Sequence, residues 1–154
     1  MAFHPMPALR NCLVAGAMAA VLLSGCGREE GPEQQLRAVV AEAEAAGEAR
    51  SPRAVLKLLA PDFRAGDGAD TATLERYLRG WFLAHPSVHL LTRVERLELL
   101  ADDLAEMDVT VAMLGSEADA SFDLAADVYL VELTLAREGD EWLVTRADWK
   151  PARP

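Results

Sequence analysis

From Val88 to Trp149 the chain places apolar residues at every second position for most of its length, a period that only a β-strand turns into a single face. Val88, Leu90 and Val94 alternate, and Leu97 and Leu99 then alternate in the opposite phase. A change of phase near Glu95-Arg96 is what a β-bulge produces, because one extra residue exchanges the two faces of a strand. Ala101-Asp102-Asp103 turns the chain. Ala105, Met107, Val109, Val111 and Met113 then alternate with Glu106, Asp108 and Thr110, so this strand has one dry and one wet face. Gly115 to Ser121 reads as a polar loop. Phe122 to Ala136 reads as a long strand with Tyr129, Val131, Leu133 and Leu135 on one face. Phe122 and Leu124 fall out of phase with it, which points to a second bulge. Glu138-Gly139-Asp140-Glu141 is a hairpin turn, and Trp142, Val144, Ala147 and Trp149 mark the last strand, Trp142 to Lys150.

Three helices are expected before the strands. Over Glu33 to Ala46, Leu36, Val39, Val40 and Ala43 share one face at a period of 3.6, with Arg37, Glu42 and Glu44 elsewhere, and Gly47 is a candidate C-cap. Ser51-Pro52 has the form of an N-cap followed by proline at the first helical position; Val55, Leu56 and Leu59 turn inward, and Pro61 ends the helix. Asp62 to Asp70 reads as a turn-rich connection. Its acids lack the spacing and the final bidentate Glu of a calcium loop. Asp70 or Thr71 caps the third helix, Thr71 to His85. There Leu74, Tyr77, Leu78, Trp81, Phe82 and His85 form an aromatic stripe suited to a broad surface such as a sheet.

Three helices packed on a strongly bent antiparallel sheet of about four strands define an α+β class. This order, the aromatic third helix and the ending Gly139-Asp-Glu-Trp-Leu-Val-Thr-Arg-Ala-Asp-Trp149 resemble the nuclear transport factor 2-like superfamily over residues 33–150. The resemblance implies a cone-shaped, cystatin-like fold shared with ketosteroid isomerase and scytalone dehydratase, with a pocket between the bent sheet and a long helix.

The N-terminus carries a different signal. Arg10 precedes an apolar run from Cys12 to Leu23, and no acid appears before Glu29. The run has 12 residues, short of the about 20 that cross a bilayer, and its polarity is that of a secretory leader. Leu23-Ser24-Gly25-Cys26 resembles the lipobox of bacterial lipoproteins, which implies a leader at 1–25, a lipidated Cys26 and a tether at 26–32. The two other readings of the stretch are plain secretion and a retained helix. Removing 25 of the 154 residues leaves 129, enough for one domain with its own core. Cys12 leaves with the leader, so a chain lipidated at Cys26 keeps no thiol for a disulfide, a nucleophile or a metal site. The tether Gly27 to Pro32 reaches roughly 20 Å fully extended, which holds the domain close to the membrane. Gly27 stands where lipoproteins retained at the inner membrane usually carry Asp, so the resemblance implies the inner leaflet of the outer membrane, facing the periplasm.

The net charge of −10 becomes −11 once Arg10, the leader's one basic residue, is gone, and an acidic surface repels nucleic-acid phosphates. No Ser-His-Asp set, phosphate loop or metal cluster is legible, and no cofactor is expected. His85 reads as a helix C-terminal cation and His89 as a lone strand residue, while Asp127 and Asp148 stand at strand positions that either point inward or face water. Arg93 and Arg96 sit among Glu95 and Glu98 as a solvated face. Phe63, Tyr77, Trp81 and Tyr129 are the expected pocket wall. These residues favour a non-catalytic module that binds a small apolar ligand or an envelope protein. The alternatives are a subunit of an envelope assembly that forms a homodimer through the sheet row Glu132, Thr134 and Ala136, and an isomerase- or dehydratase-like enzyme.

Overall fold

The computed structural model describes residues 31–116 and 125–152. The leader, the Leu23–Cys26 motif, nearly all of the tether, and Phe122 and Leu124 lie outside the described residues. The elements run α1 (Pro32–Glu48), α2 (Pro52–Leu56), β1 (Leu59–Ala65), α3 (Thr71–Ala84), β2 (Ser87–Ala101), β3 (Leu104–Ser116), β4 (Ala125–Glu138) and β5 (Glu141–Pro151). They form one five-stranded sheet in the order β1-β5-β4-β3-β2.

The sheet therefore differs from the expected four antiparallel strands. The added strand is β1, which pairs parallel to β5 with an irregular register, and it replaces the first part of the turn-rich connection expected from Asp62. It was illegible because Ala60, Phe63 and Ala65 point inward without a strict period of two, and because Pro61 sits inside it. Proline is tolerated there since β1 is an edge strand and needs no donor on its outer side. Of the three helices, α2 is only five residues long, and its N-cap is Ser51, whose hydroxyl accepts from the Ala54 N–H. Gly47 does not cap α1. It is buried inside the helix, where any side chain would strike that of Leu90, and the C-cap is Ala49. The left-handed residue after it is Arg50, at φ 51°. Its guanidinium donates to the carbonyls of Phe82 and Pro86, so it neutralises the C-terminal end of α3 and ties that end to the α1–α2 link. Asp70 caps α3 as expected, its carboxylate accepting from the Thr73 N–H at 2.9 Å. That bond is the main reason its pKa falls below the ordinary carboxylate value.

The phase change in β2 is a bulge. Val94 faces Val109 and Arg96 faces Asp108, leaving Glu95 as the extra residue. Val88, Leu90, Thr92 and Val94 therefore share the inner face with Leu97, as the broken alternation requires. A second irregularity falls at Leu100, and a third in β5, where Thr145 is extra between Val144 and Arg146. The latter explains why Val144 and Ala147, three apart, are both buried. Each bulge raises local twist, and together they bend the sheet around α1.

The core lies between α1 and the inner face. Leu36, Phe63, Ala105, Met107 and Leu135 are at most 1% exposed, and Trp142 is buried with its indole N–H donating to Gln35. Each fully buried large apolar side chain contributes about 1.5–3 kcal/mol. The outer face is charged and cross-linked. Arg96 bonds Asp108, Glu98 and Glu106, and Lys150 reaches Glu132 at 2.5 Å. At the bulge, Glu95 accepts from the Thr110 hydroxyl at 2.8 Å and from Arg93 at 2.7 Å.

Two outcomes follow from this division of faces. Met107→Ala is expected to lower unfolding stability by about 2–5 kcal/mol in chemical denaturation, whereas Leu91→Ala on the outer face changes it by less than about 0.5. The Thr110 hydroxyl first, and Arg93 second, hold the Glu95 carboxyl below the ordinary glutamate value. Its contribution is therefore complete above that ordinary value and is lost as pH falls through the depressed one. A carbonyl NMR titration should show a depressed Glu95 midpoint that Thr110→Val moves back up.

Candidate functional site

Between α1 and the inner face of the sheet the packing leaves a cavity of about 220 Å³. Its roof is Val39, Val40 and Ala43 of α1, and its floor is Val109 and Val111 of β3 with Val131 and Leu133 of β4. Phe63, Val144 and Ala147 close the deep end. The space exists because the bulged sheet curves away from the helix while the facing side chains are valines and alanines, too short to meet across the gap.

Almost every lining group is apolar. Apart from the indole of Trp149, the polar side chains of the wall are Glu44 and Thr92. Their position follows from the edge of the sheet. Leu90 and Thr92 turn their backbone N–H groups outward from edge strand β2, and α1 lies alongside. Glu48 Oε1 accepts from the Leu90 N–H and Glu44 Oε2 from the Thr92 N–H, each at 3.1 Å. The Thr92 hydroxyl also donates to Glu44 Oε2. Both bonds to Glu44 fall on one oxygen, Oε2.

A second cavity of about 230 Å³ adjoins the first and shares Leu74, Val111, Val131 and Trp149 with it; Tyr77, Met113 and Tyr129 complete its wall. Its side of the molecule is more open, with Tyr77 64% and Trp149 46% exposed. A larger groove of about 470 Å³ lies at the other end, between the start of α1 and the β4–β5 hairpin. Gln35, Glu42, Lys57, Asp140 and Glu141 give it an ordinary hydrated surface.

The expected pocket residues are thus dispersed. Phe63 closes the deep end of the first cavity, and Tyr77 and Tyr129 line the second. Trp81 lines neither. It stacks on His85 with ring centres 4.3 Å apart, while His85 Nδ1 lies 2.8 Å from the Trp81 carbonyl. The stripe of α3 does not lie flat on the sheet: α3 rests mainly on α2 and β1, and Phe82 is its one fully buried residue. His89 is exposed, 3.9 Å from Glu48. Asp127 is exposed, and Asp148 pairs with Arg146. Arg93 and Arg96 are engaged by the acids around them, and Arg96 is held further into its charged form, chiefly by Asp108. Cys26 lies outside the described residues. Among the described residues, no group of three His, Cys, Asp or Glu side chains converges as a metal site would require, and no helix is long and apolar enough to cross a membrane.

Glu44 and Thr92 were not singled out in the sequence. A glutamate beside the apolar stripe of α1 reads as solvated. The spacing of Glu44 and Glu48, one helical turn apart, is the signal that they share a side, but it does not say what they face.

An α+β cone with a dry cavity under its first helix is the nuclear transport factor 2-like, or cystatin-like, fold. No family model matches the sequence, and a search of curated proteins finds no match. Solved structures do match. A scytalone dehydratase-like protein from Novosphingobium aromaticivorans aligns with TM-score 0.69 at 9% identity, over 79% of this chain and 84% of that one. A ketosteroid isomerase-like protein from Erwinia carotovora aligns with TM-score 0.62 at 13% identity, over 78% and 95%. A hexachlorocyclohexane dehydrochlorinase aligns with TM-score 0.66 at 10% identity, over 79% and 85%. At these identities the likeness is one of fold. It corrects the expectation of a non-catalytic domain all the same. That expectation rested on the lack of a legible catalytic motif, whereas structures of this shape include ones named as a scytalone dehydratase, a ketosteroid isomerase-like protein and a dehydrochlorinase.

Proposed function

We propose that the cavity under α1 receives a small, mainly apolar molecule and that Glu44 is its polar contact. The observation that carries this is the wall itself: a half-open, almost wholly apolar surface, with Glu44, whose Oε2 is held by Thr92, among its lining residues. Such a site favours the burial of apolar surface. The same carboxylate favours a second reading, catalysis by proton abstraction, since a base needs only to be positioned, partly desolvated and within reach of a carbon acid. The enzyme names among structures of this shape support that reading by analogy of fold.

Filling the cavity separates these ideas from a merely structural void. Ala43→Phe should retain the native circular dichroism spectrum and lose binding of a neutral fluorescent dye such as Nile red by at least tenfold. Glu44→Gln should leave dye binding within about threefold. If Glu44 is a base, Glu44→Gln should also abolish exchange of solvent deuterium into a bound ketone. Unchanged dye binding in Ala43→Phe would sink the cavity reading.

We also propose that the domain is held on the periplasmic side of the cell envelope, at the outer membrane, by lipid on Cys26. The supporting features are Arg10, the short apolar run and Leu23-Ser24-Gly25-Cys26. Several acyl chains on one residue, at about 0.8 kcal/mol per buried methylene, would make the attachment effectively permanent. Mass spectrometry of the mature N-terminal peptide should find Cys26 lipidated, and Cys26→Ser should release the protein into the soluble fraction. A Cys26→Ser protein that stays on membranes in high salt would count against the anchor.

A further inference from the structure

Strand β2 is an edge strand of 15 residues, and α1 supplies acceptors only to its first half. The end of α1 lies against Leu90 and Thr92 through Glu48 and Glu44, but its start lies over β5, where Gln35 accepts from the Trp142 indole N–H. The helix therefore crosses the sheet and leaves the edge beyond the Glu95 bulge. There Glu98, Leu99, Leu100 and Ala101 are all exposed, and Leu99, on the inner face, is 39% exposed. The register fixes where the backbone groups of this stretch point. Leu90 and Thr92 send their N–H groups away from β3, so their partners Met113 and Val111 turn theirs toward β4. Strand β3 pairs with β4 without a shift, so Met107 and Ala105 do the same. Their partners on β2, Leu97 and Leu99, then point both N–H and C=O outward from the sheet. Among the described residues, no group outside the sheet bonds the backbone of Leu97 or Leu99. The outer face beside them is acidic. Arg96 is one guanidinium shared by Glu98, Glu106 and Asp108, and the exposed Asp102 and Asp103 follow in the turn to β3.

We propose that residues 97–101 of β2 are a docking edge for an extended, basic segment of another protein, which adds a sixth strand to the sheet. An unpaired edge offers such a segment main-chain hydrogen bonds, and the side chains on either face choose its sequence. The segment alternates. Its apolar residues stand opposite Leu97 and Leu99, extending the inner face, and Lys or Arg between them stand beside Glu98 on the outer face. Charge sets the sign: three carboxylates around a single guanidinium leave a surplus of negative charge that a cationic strand neutralises. A second copy of this chain fits the edge poorly. Five paired residues span about 16 Å and bury far less than the about 1,200 Å² of a stable interface between folded partners. A copy also brings the same acids and a net charge of −10 to the contact. The pairing needs neither the cavity under α1 nor the lipid on Cys26.

Fluorescence anisotropy of labelled heptapeptides with the purified full-length protein tests this. A peptide of alternating Lys and Val should bind roughly tenfold tighter than one of alternating Glu and Val at physiological salt, and Glu98→Lys, at an exposed position, should remove most of that preference. Strand pairing has its own signature. The Val residues lie opposite Leu97 and Leu99, so their N–H groups make the bonds to the edge, while those of the Lys residues point away. N-methylation of the Val amides should therefore weaken binding by roughly tenfold, and N-methylation of the Lys amides should leave it within about threefold. Amide hydrogen exchange followed by NMR should show the peptide protecting Leu97 and Leu99. Equal affinities of the two N-methylated peptides, no protection at Leu97 and Leu99, or no binding of either parent peptide overturns the docking edge. Protection of Leu97 and Leu99 that rises with protein concentration in the absence of peptide overturns it as well, and gives the edge to a second copy.

Discussion

The structure depends on how one helix covers one sheet edge. An edge strand leaves a row of backbone N–H groups unpaired, and unpaired buried donors are costly. Here α1 supplies the acceptors. Glu44 and Glu48 are four residues apart, a climb of about 6 Å along a helix. The N–H groups of Leu90 and Thr92 are two residues apart, about 6.6 Å along a strand. The two repeats match closely enough for both bonds to form at 3.1 Å. Buried Gly47 lets the backbone of α1 come close at the Leu90 end of this seam. With the helix pinned by its flank, Leu36 packs into the core, and the short side chains further along α1 leave the cavity beneath them.

The bend of the sheet is the second half of the same construction. Glu95 and Thr145 are extra residues that no partner strand matches. Both of these extra residues have side-chain partners. Glu95 is held on the outer face by Thr110 and Arg93, and the Thr145 hydroxyl donates to the Thr134 carbonyl. The charged groups of the outer face thus hold in place the irregularities that shape the inner one. Individually such exposed pairs contribute little to stability; their effect here is on where the strands kink.

Much of the fold was legible, and the reason is periodicity. The inward residues of β2 to β5 recur at every second position except at the bulges, and a bulge in β2 announces itself as a change of phase, so Val94 and Leu97 together placed it near Glu95-Arg96. Caps are also local: Ser51 and Asp70 were readable because a cap bonds a backbone N–H three residues away. Strand β1 was not readable, since seven residues with a proline and two inward alanines carry no period. The course of α3 was not readable either. An aromatic stripe requires a partner, but Tyr77 and Trp81 find only partial cover, and nothing local says which surface a helix will meet.

The sequence by itself determined the type of every element but β1, the inward faces of the long strands, the turn at Gly139 and the class of fold, because each follows from contacts between residues close along the chain. Only the tertiary structure decided that Glu44 belongs to a cavity and not to the solvated side of its helix. That assignment depends on Thr92, 48 residues away, and on the free N–H groups of an edge strand. Whether a charge is bathed in water or set into an apolar wall is a property of what packs across from it, and the helix that carries it holds no record of that neighbour.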